Sequence, residues 1–194
     1  MVNNTMRLWT IQPMEVVNIL KHKEVYRCNT KLSENYIDFK DAYLWIAGEM
    51  DRRGIPHPKN VQLPLWAWHT RDWKHKKPDF RTVGLGTPNK KYACIEFEIP
   101  DNLALLSDYN AWHYVLNKSW FDGSTNEEEW NKLHNWYDSL KLDTQYKLTV
   151  DSWQKIFDIT PLDNEWDVRG RYIQAVFWEL RREMVKDIKY FKAR

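Results

Sequence analysis

Trp66, Trp68, His69, Arg71, Trp73, Lys74, Lys76 and Lys77 all fall within a dozen positions. Indole faces that stack on bases, with Lys and Arg for phosphates, are the chemistry of nucleotide or single-stranded nucleic-acid binding. The plainer reading, core tryptophans beside a solvated basic loop, carries somewhat more weight, because aromatic side chains also dominate ordinary cores. Glu96 and Glu98 stand two apart, so on a strand they share a face, where like charges would raise one pKa, as general acid/base work can require. Such alternation is more often the wet side of a half-buried sheet. Gln174 sits among Tyr172, Val176 and Trp178 as one amide on an apolar face. Once buried, it requires hydrogen-bond partners, which makes it structural or ligand-facing.

Other chemistries find less support. His22, His57, His69, His75, His113 and His134 have no partner at short metal-ligand spacing, so no metal site is expected. His69 and His75 meet only if a loop brings them together. Gly84-Leu85-Gly86 is half of a dinucleotide fingerprint, without the third glycine and without a helix to open. Cys28 and Cys94 have no activating neighbours in sequence and read as reduced thiols.

The elements that must position these residues are legible in outline. Arg7–Gln12 reads as a strand halted by Pro13, which suits the first turn of a helix carrying Val16, Val17, Ile19 and Leu20. Phe39, Ala42, Tyr43, Ile46, Ala47 and Met50 recur at helical spacing, and Gly54 is the stop. Leu65–Trp68 alternates as a strand, with Trp66 and Trp68 on one face. Residues 70–91 are polar and rich in glycine and proline, hence a long loop. Along 92–99, Ala93, Ile95, Phe97 and Ile99 face one way and Cys94, Glu96 and Glu98 the other. Ser107 and Asp108 offer caps for a helix with Tyr109, Trp112, Val115 and Leu116. Ser124-x-x-Glu127 and Thr125-x-x-Glu128 are capping boxes before Trp130, Leu133, Trp136, Tyr137 and Leu140. A further helical stretch covers Thr149–Phe157, a strand Tyr172–Leu180, a turn Arg182–Val185 and a last strand Asp187–Ala193. Strands and helices do not alternate regularly, so the chain reads as an α+β fold with a mixed or antiparallel sheet, one domain over residues 1–194. The expected core is Trp9, Tyr43, Ile46, Ile95, Phe97, Trp112, Leu116, Trp153 and Phe177.

Composition narrows the partners. The 194 residues hold 29 Lys and Arg against 27 Asp and Glu, a net charge of +2, which argues against a dedicated nucleic-acid or anionic-membrane binder. Tryptophan is the outlier, 12 residues, which with 10 Tyr and 7 Phe brings aromatics to 15%, and this alone announces no function. No apolar run is long enough to span a membrane, and the start MVNNTMRLWTIQ lacks a secretory pattern, so a cytoplasmic protein is expected.

The segments RLWTIQPMEVV, DFKDAYLWIAGEM, LPLWAW, EFEIPDNLALLSDYNAWHYVLN, SWQKIFD and IQAVFWELRREMVKDIKYF are similar to an uncharacterised, Trp-rich family of small bacterial and phage domains of unknown function, over nearly the whole chain. That likeness implies no activity. The opening LWTIQ and the ending IQAVFWELRREMVKDIKYF also resemble the first and late strands of ADP-ribosyltransferase-fold proteins, whose first strand holds a ribose of NAD and whose late strand carries a catalytic Glu. The resemblance implies Thr10 in the ribose-holding role with Gln12 near it, and Gln174 at or next to the Glu position. A neutral amide there keeps a hydrogen bond but loses the charge that stabilises an oxocarbenium-like transition state. The leading expectation is therefore an NAD-like nucleotide binder on an ADP-ribosyltransferase-like scaffold, with Thr10, Gln12, Trp66, Trp68 and Gln174 lining the pocket and transfer of ADP-ribose as its chemistry if it is catalytic. The alternatives are a non-catalytic module for a nucleotide or protein partner, and a single-strand binder using Trp66, Trp68 and Lys74–Lys77.

Overall fold

The computed structural model describes residues 4–28, 38–163 and 165–194. Strand β1 (Thr5–Pro13) runs straight into helix α1 (Met14–His22), with Pro13 in extended conformation one residue ahead of the helix rather than inside its first turn. A short β2 (Val25–Arg27), α2 (Lys40–Arg52), β3 (Leu65–Arg71), β4 (Lys91–Pro100) and β5 (Ala104–Asp108) follow. Then come α3 (Tyr109–Leu116), α4 (Glu127–Asp138), α5 (Leu142–Ser152), β6 (Tyr172–Phe177), β7 (Glu179–Arg181) and β8 (Val185–Lys192). The class is α+β, as the pattern of elements implied.

Six strands form one antiparallel sheet in the order β5-β6-β3-β1-β4-β8, and β2 pairs with β7 in a second, two-stranded one. Strand alternation sorts the side chains onto two faces. On the first face Leu8, Leu65, Ala67, Ile95, Phe97, Ala175 and Phe177 pack beneath Val16, Val17 and Leu20 of α1. On the second, Val176 and Trp66 pack under α2, α3 and the 3-10 turn Trp153–Phe157. Of the expected core, Trp9, Ile46, Ile95, Phe97, Trp112, Trp153 and Phe177 are buried. Tyr43 and Leu116 are partly buried, packed against the second cluster.

Several expectations need correction. The strand expected to run to Leu180 stops at Phe177; the chain bends at Trp178 and re-enters as β7 in the small sheet. Trp178 and Leu180 are both buried, so the apolar pattern runs through the bend and conceals it. The apolar run after Leu103 is the edge strand β5, and three-residue β2 is too short to show alternation. Helix α4 is capped one residue later than expected: the Asn126 side chain accepts from Glu129 N–H at 2.9 Å, and the Glu129 carboxylate accepts from Thr125 N–H and Oγ1. That helix buries no residue, leaving Trp130 and Trp136 exposed despite their helical spacing.

Candidate functional site

The second face of the sheet is covered in two parts, and a cleft of about 700 Å3 opens between them. Its floor is built by β3 and β6, with Trp66, Trp68, Arg71, Tyr172 and Gln174. One wall is α3, with Tyr109, Trp112 and His113, continued by Tyr43 of α2; the other is the segment 83–86 with Tyr92 of β4.

Local backbone features explain why these side chains converge. Trp66 and Trp68 share a face by simple alternation, and Gln174 is the cross-strand partner of Trp68. A bulge between Trp68 and Thr70 then inserts one residue, which returns Arg71 rather than Thr70 to the cleft side. The Arg71 guanidinium lies 4.3 Å over the Trp68 ring and 5.4 Å from that of Tyr172. Trp66 meets Trp112 at 5.0 Å and Tyr43 at 5.9 Å, and Trp68 meets Tyr109 at 5.0 Å, so the walls and floor are one aromatic network. The opposite wall depends on Gly86, whose φ of +136° disfavours side chains and where a Cβ would lie 2.5 Å from the Tyr92 ring. Tyr92 holds that wall by accepting from Thr87 N–H at 3.0 Å and donating to Thr87 Oγ1 at 3.2 Å.

The cleft is cationic and aromatic. No Asp or Glu lines it among the described residues; Arg71 supplies its positive charge. Burial pulls the Arg71 pKa below its ordinary value, with the Tyr172 and Tyr109 hydroxyls opposing the shift, and burial pushes Tyr43 upward. Gln174 is 5% exposed, and its amide N–H donates to Ser107 Oγ at 3.3 Å.

Of the residues expected to share one pocket, Trp66, Trp68 and Gln174 do. Thr10 and Gln12 do not. β1 and β3 register through the single pair Trp9–Trp68, and Trp68 is on the cleft side, so Thr10 projects to the other face with Leu8. Its hydroxyl is fully buried, donating to the Trp66 carbonyl at 2.6 Å and accepting from Gln12 Nε2 at 2.7 Å. Thr10 thus ties β1 to β3 behind the cleft. The lysines of 74–77 are also outside its lining. Arg71 joins the site from the basic aromatic cluster, and Tyr109, Trp112 and Tyr172 join it without having been singled out for it. Tyr172 was readable from its alternation with Gln174, whereas the bulge that aims Arg71 has no sequence signature.

His69 and His75 do meet. Their rings stack at 4.3 Å, His75 rests edge-on against Trp9, and His75 Nε2 bonds the Arg7 carbonyl at 2.7 Å, which fixes the start of the long loop to β1. Burial draws the His69 pKa down to about 4, the neighbouring His75 adding to the shift and Asp101 opposing it. An unfolded histidine titrates near 6.5, so the unfolded chain binds this proton more tightly and stability falls as pH drops from about 6.5 through 4. His69→Asn, which preserves a polar atom toward Thr70, should flatten that part of the profile. Urea midpoints at pH 7 and pH 5 that change equally in both proteins would contradict this role. Among the described residues no group of three His, Cys, Asp or Glu could hold a metal ion. Glu96 and Glu98 are engaged by Arg7, at 3.4 and 3.1 Å, as a surface ion-pair cluster.

No helix among the described residues is long and apolar enough to cross a membrane. No curated protein and no solved structure matches the chain. The model of the family described as domain of unknown function DUF3841 matches residues 7–186, and the chain belongs to that family.

Proposed function

We propose that the cleft over β3 and β6 binds a nucleotide of the NAD-like class, its planar ring among Trp66, Trp68 and Trp112 and a polar edge on Gln174. The observation that carries this reading is the composition of one cavity: seven Tyr and Trp side chains, the amides of Asn110 and Gln174 and one arginine, with no carboxylate in the lining. Aromatic faces in a partly enclosed site attract flat rings, and base–aromatic stacking is worth about 1–3 kcal/mol per base. The same composition supports binding more than turnover, since nothing in the lining places a negative charge where cleavage of the nicotinamide–ribose bond would develop a positive one. The likeness to ADP-ribosyltransferases finds support in the position of Gln174 on the cleft floor and none in that of Thr10.

A calorimetric titration with NAD and with AMP tests the proposal. Binding by the wild type and at least tenfold weaker binding by Trp68→Ala, with the fold retained, is the expected result. Because Lys74–Lys77 do not line the cleft, a single-stranded oligonucleotide should bind no tighter than the mononucleotide. Strong, steeply salt-dependent binding of the oligonucleotide alone would favour the nucleic-acid reading instead.

A further inference from the structure

We infer that Arg71 is the anion-reading residue of the cleft and that the preferred ligands are phosphate esters of nucleosides, with the phosphate at the Tyr172 end and the ring toward Trp66 and Trp112. This rests on the reading of the cleft as a nucleotide site and adds which chemical group its one guanidinium receives.

Asp72, adjacent in sequence, is paired with Arg171 at 3.0 Å, and no carboxylate lies within ion-pair distance of Arg71 among the described residues. A partly buried cation without a counter-ion is unfavourable unless something supplies the missing charge. Stacking on Trp68 occupies the flat face of the guanidinium and leaves its N–H edge for a planar or tetrahedral oxyanion, which arginine binds in bidentate fashion.

Spacing points to an ester rather than a free anion. Arg71 pairs across the sheet with Tyr172, and Gln174 lies two residues further along the same face of β6. Two strand residues span about 7 Å, so the strand positions of Tyr172 and Gln174 are spaced on the scale that separates a nucleotide's phosphate from its sugar. One ligand carrying a phosphate, a sugar and a flat ring reaches Arg71, Gln174 and the Trp66–Trp112 pair together.

The test is a calorimetric comparison of adenosine with AMP, of nicotinamide riboside with its mononucleotide, and of inorganic phosphate, on wild type, Arg71→Gln and Arg71→Lys. In at least one pair the phosphorylated member should bind the wild type about 10–100-fold more tightly than its nucleoside, the range of a charge-assisted hydrogen-bond pair. Arg71→Gln should lose that preference while keeping its nucleoside affinity, and Arg71→Lys should restore part of it. Equal affinity of the two members in both pairs, or a preference that survives Arg71→Gln, overturns the role of Arg71 and leaves the cleft as a ring-binding site. Inorganic phosphate binding as tightly as the esters overturns the ester assignment. Failure of every nucleoside and nucleotide to bind the wild type overturns the nucleotide reading and this inference with it. An Arg71→Gln variant that loses the native circular dichroism spectrum is replaced by Arg71→Met in the same comparison.

Discussion

Phe177→Ala should destabilise the protein by about 3–5 kcal/mol, the range for truncating a fully buried aromatic side chain. Phe177 is 0% exposed, and its ring stands 4.9 Å from that of Phe97. It also lies opposite Leu65 on one neighbouring strand and Ala104 on the other. Phe97, Leu65 and Ala104 are themselves buried strand residues, so filling the volume would draw them from their own places in the sheet. A urea unfolding curve should therefore show a much lower midpoint with an unchanged slope. Trp136→Ala removes a larger ring, yet that ring is 48% exposed on α4, and the change should stay within about 0.5 kcal/mol. A Phe177→Ala loss below 1 kcal/mol would contradict the assignment of faces, and with it the placement of Gln174 three residues away on the opposite side.

The second large effect concerns chemistry. Gln174→Glu should raise NAD glycohydrolase activity over the wild type by about a hundredfold, because one oriented charge in a water-poor site can be worth roughly 3 kcal/mol. Cleavage of the nicotinamide–ribose bond leaves positive charge on the sugar, and a carboxylate at position 174 would stand on the floor of a cleft whose lining otherwise has none. The substitution keeps the side chain's shape and its contact toward Ser107. It also sets a negative charge near Arg71, so binding of phosphate-bearing ligands should weaken even as turnover rises. Assay of NAD loss with both proteins at saturating NAD separates the two effects. A variant that still binds NAD but cleaves it no faster than the wild type would show that the cleft binds without the geometry for transfer.

How much of this was readable from residues alone depended on the length scale of the signal. The faces of β4 were legible because Ala93, Ile95, Phe97 and Ile99 alternate with Glu96 and Glu98 over a whole strand, and α2 was legible from its long apolar stripe. The pairing of Trp66 with Trp68, and of Gln174 with Tyr172, followed from the same period of two. What failed was information carried by single residues or by contacts distant in sequence. The bulge after Trp68 decides that Arg71 enters the cleft, and Thr10 is excluded by one pair, Trp9 with Trp68, that no local pattern announces. Gly84 and Gly86 read as a broken phosphate-loop motif, whereas their segment precedes a strand and serves as the cleft's wall. The bend at Trp178 stayed hidden because burial continues on both sides of it.

The indole N–H signals of the 12 tryptophans give a direct view of where a nucleotide binds. Titrating AMP or NAD into 15N-labelled protein, with signals assigned by Trp→Phe substitution, should shift the indoles of Trp66, Trp68 and Trp112. Those of Trp130, Trp136 and Trp45, outside the cleft lining, should stay in place. Indoles that remain still throughout, or shifts confined to Trp130 and Trp166 beside the separate cavity near α4, would contradict the assignment of the cleft over β3 and β6 as the nucleotide site.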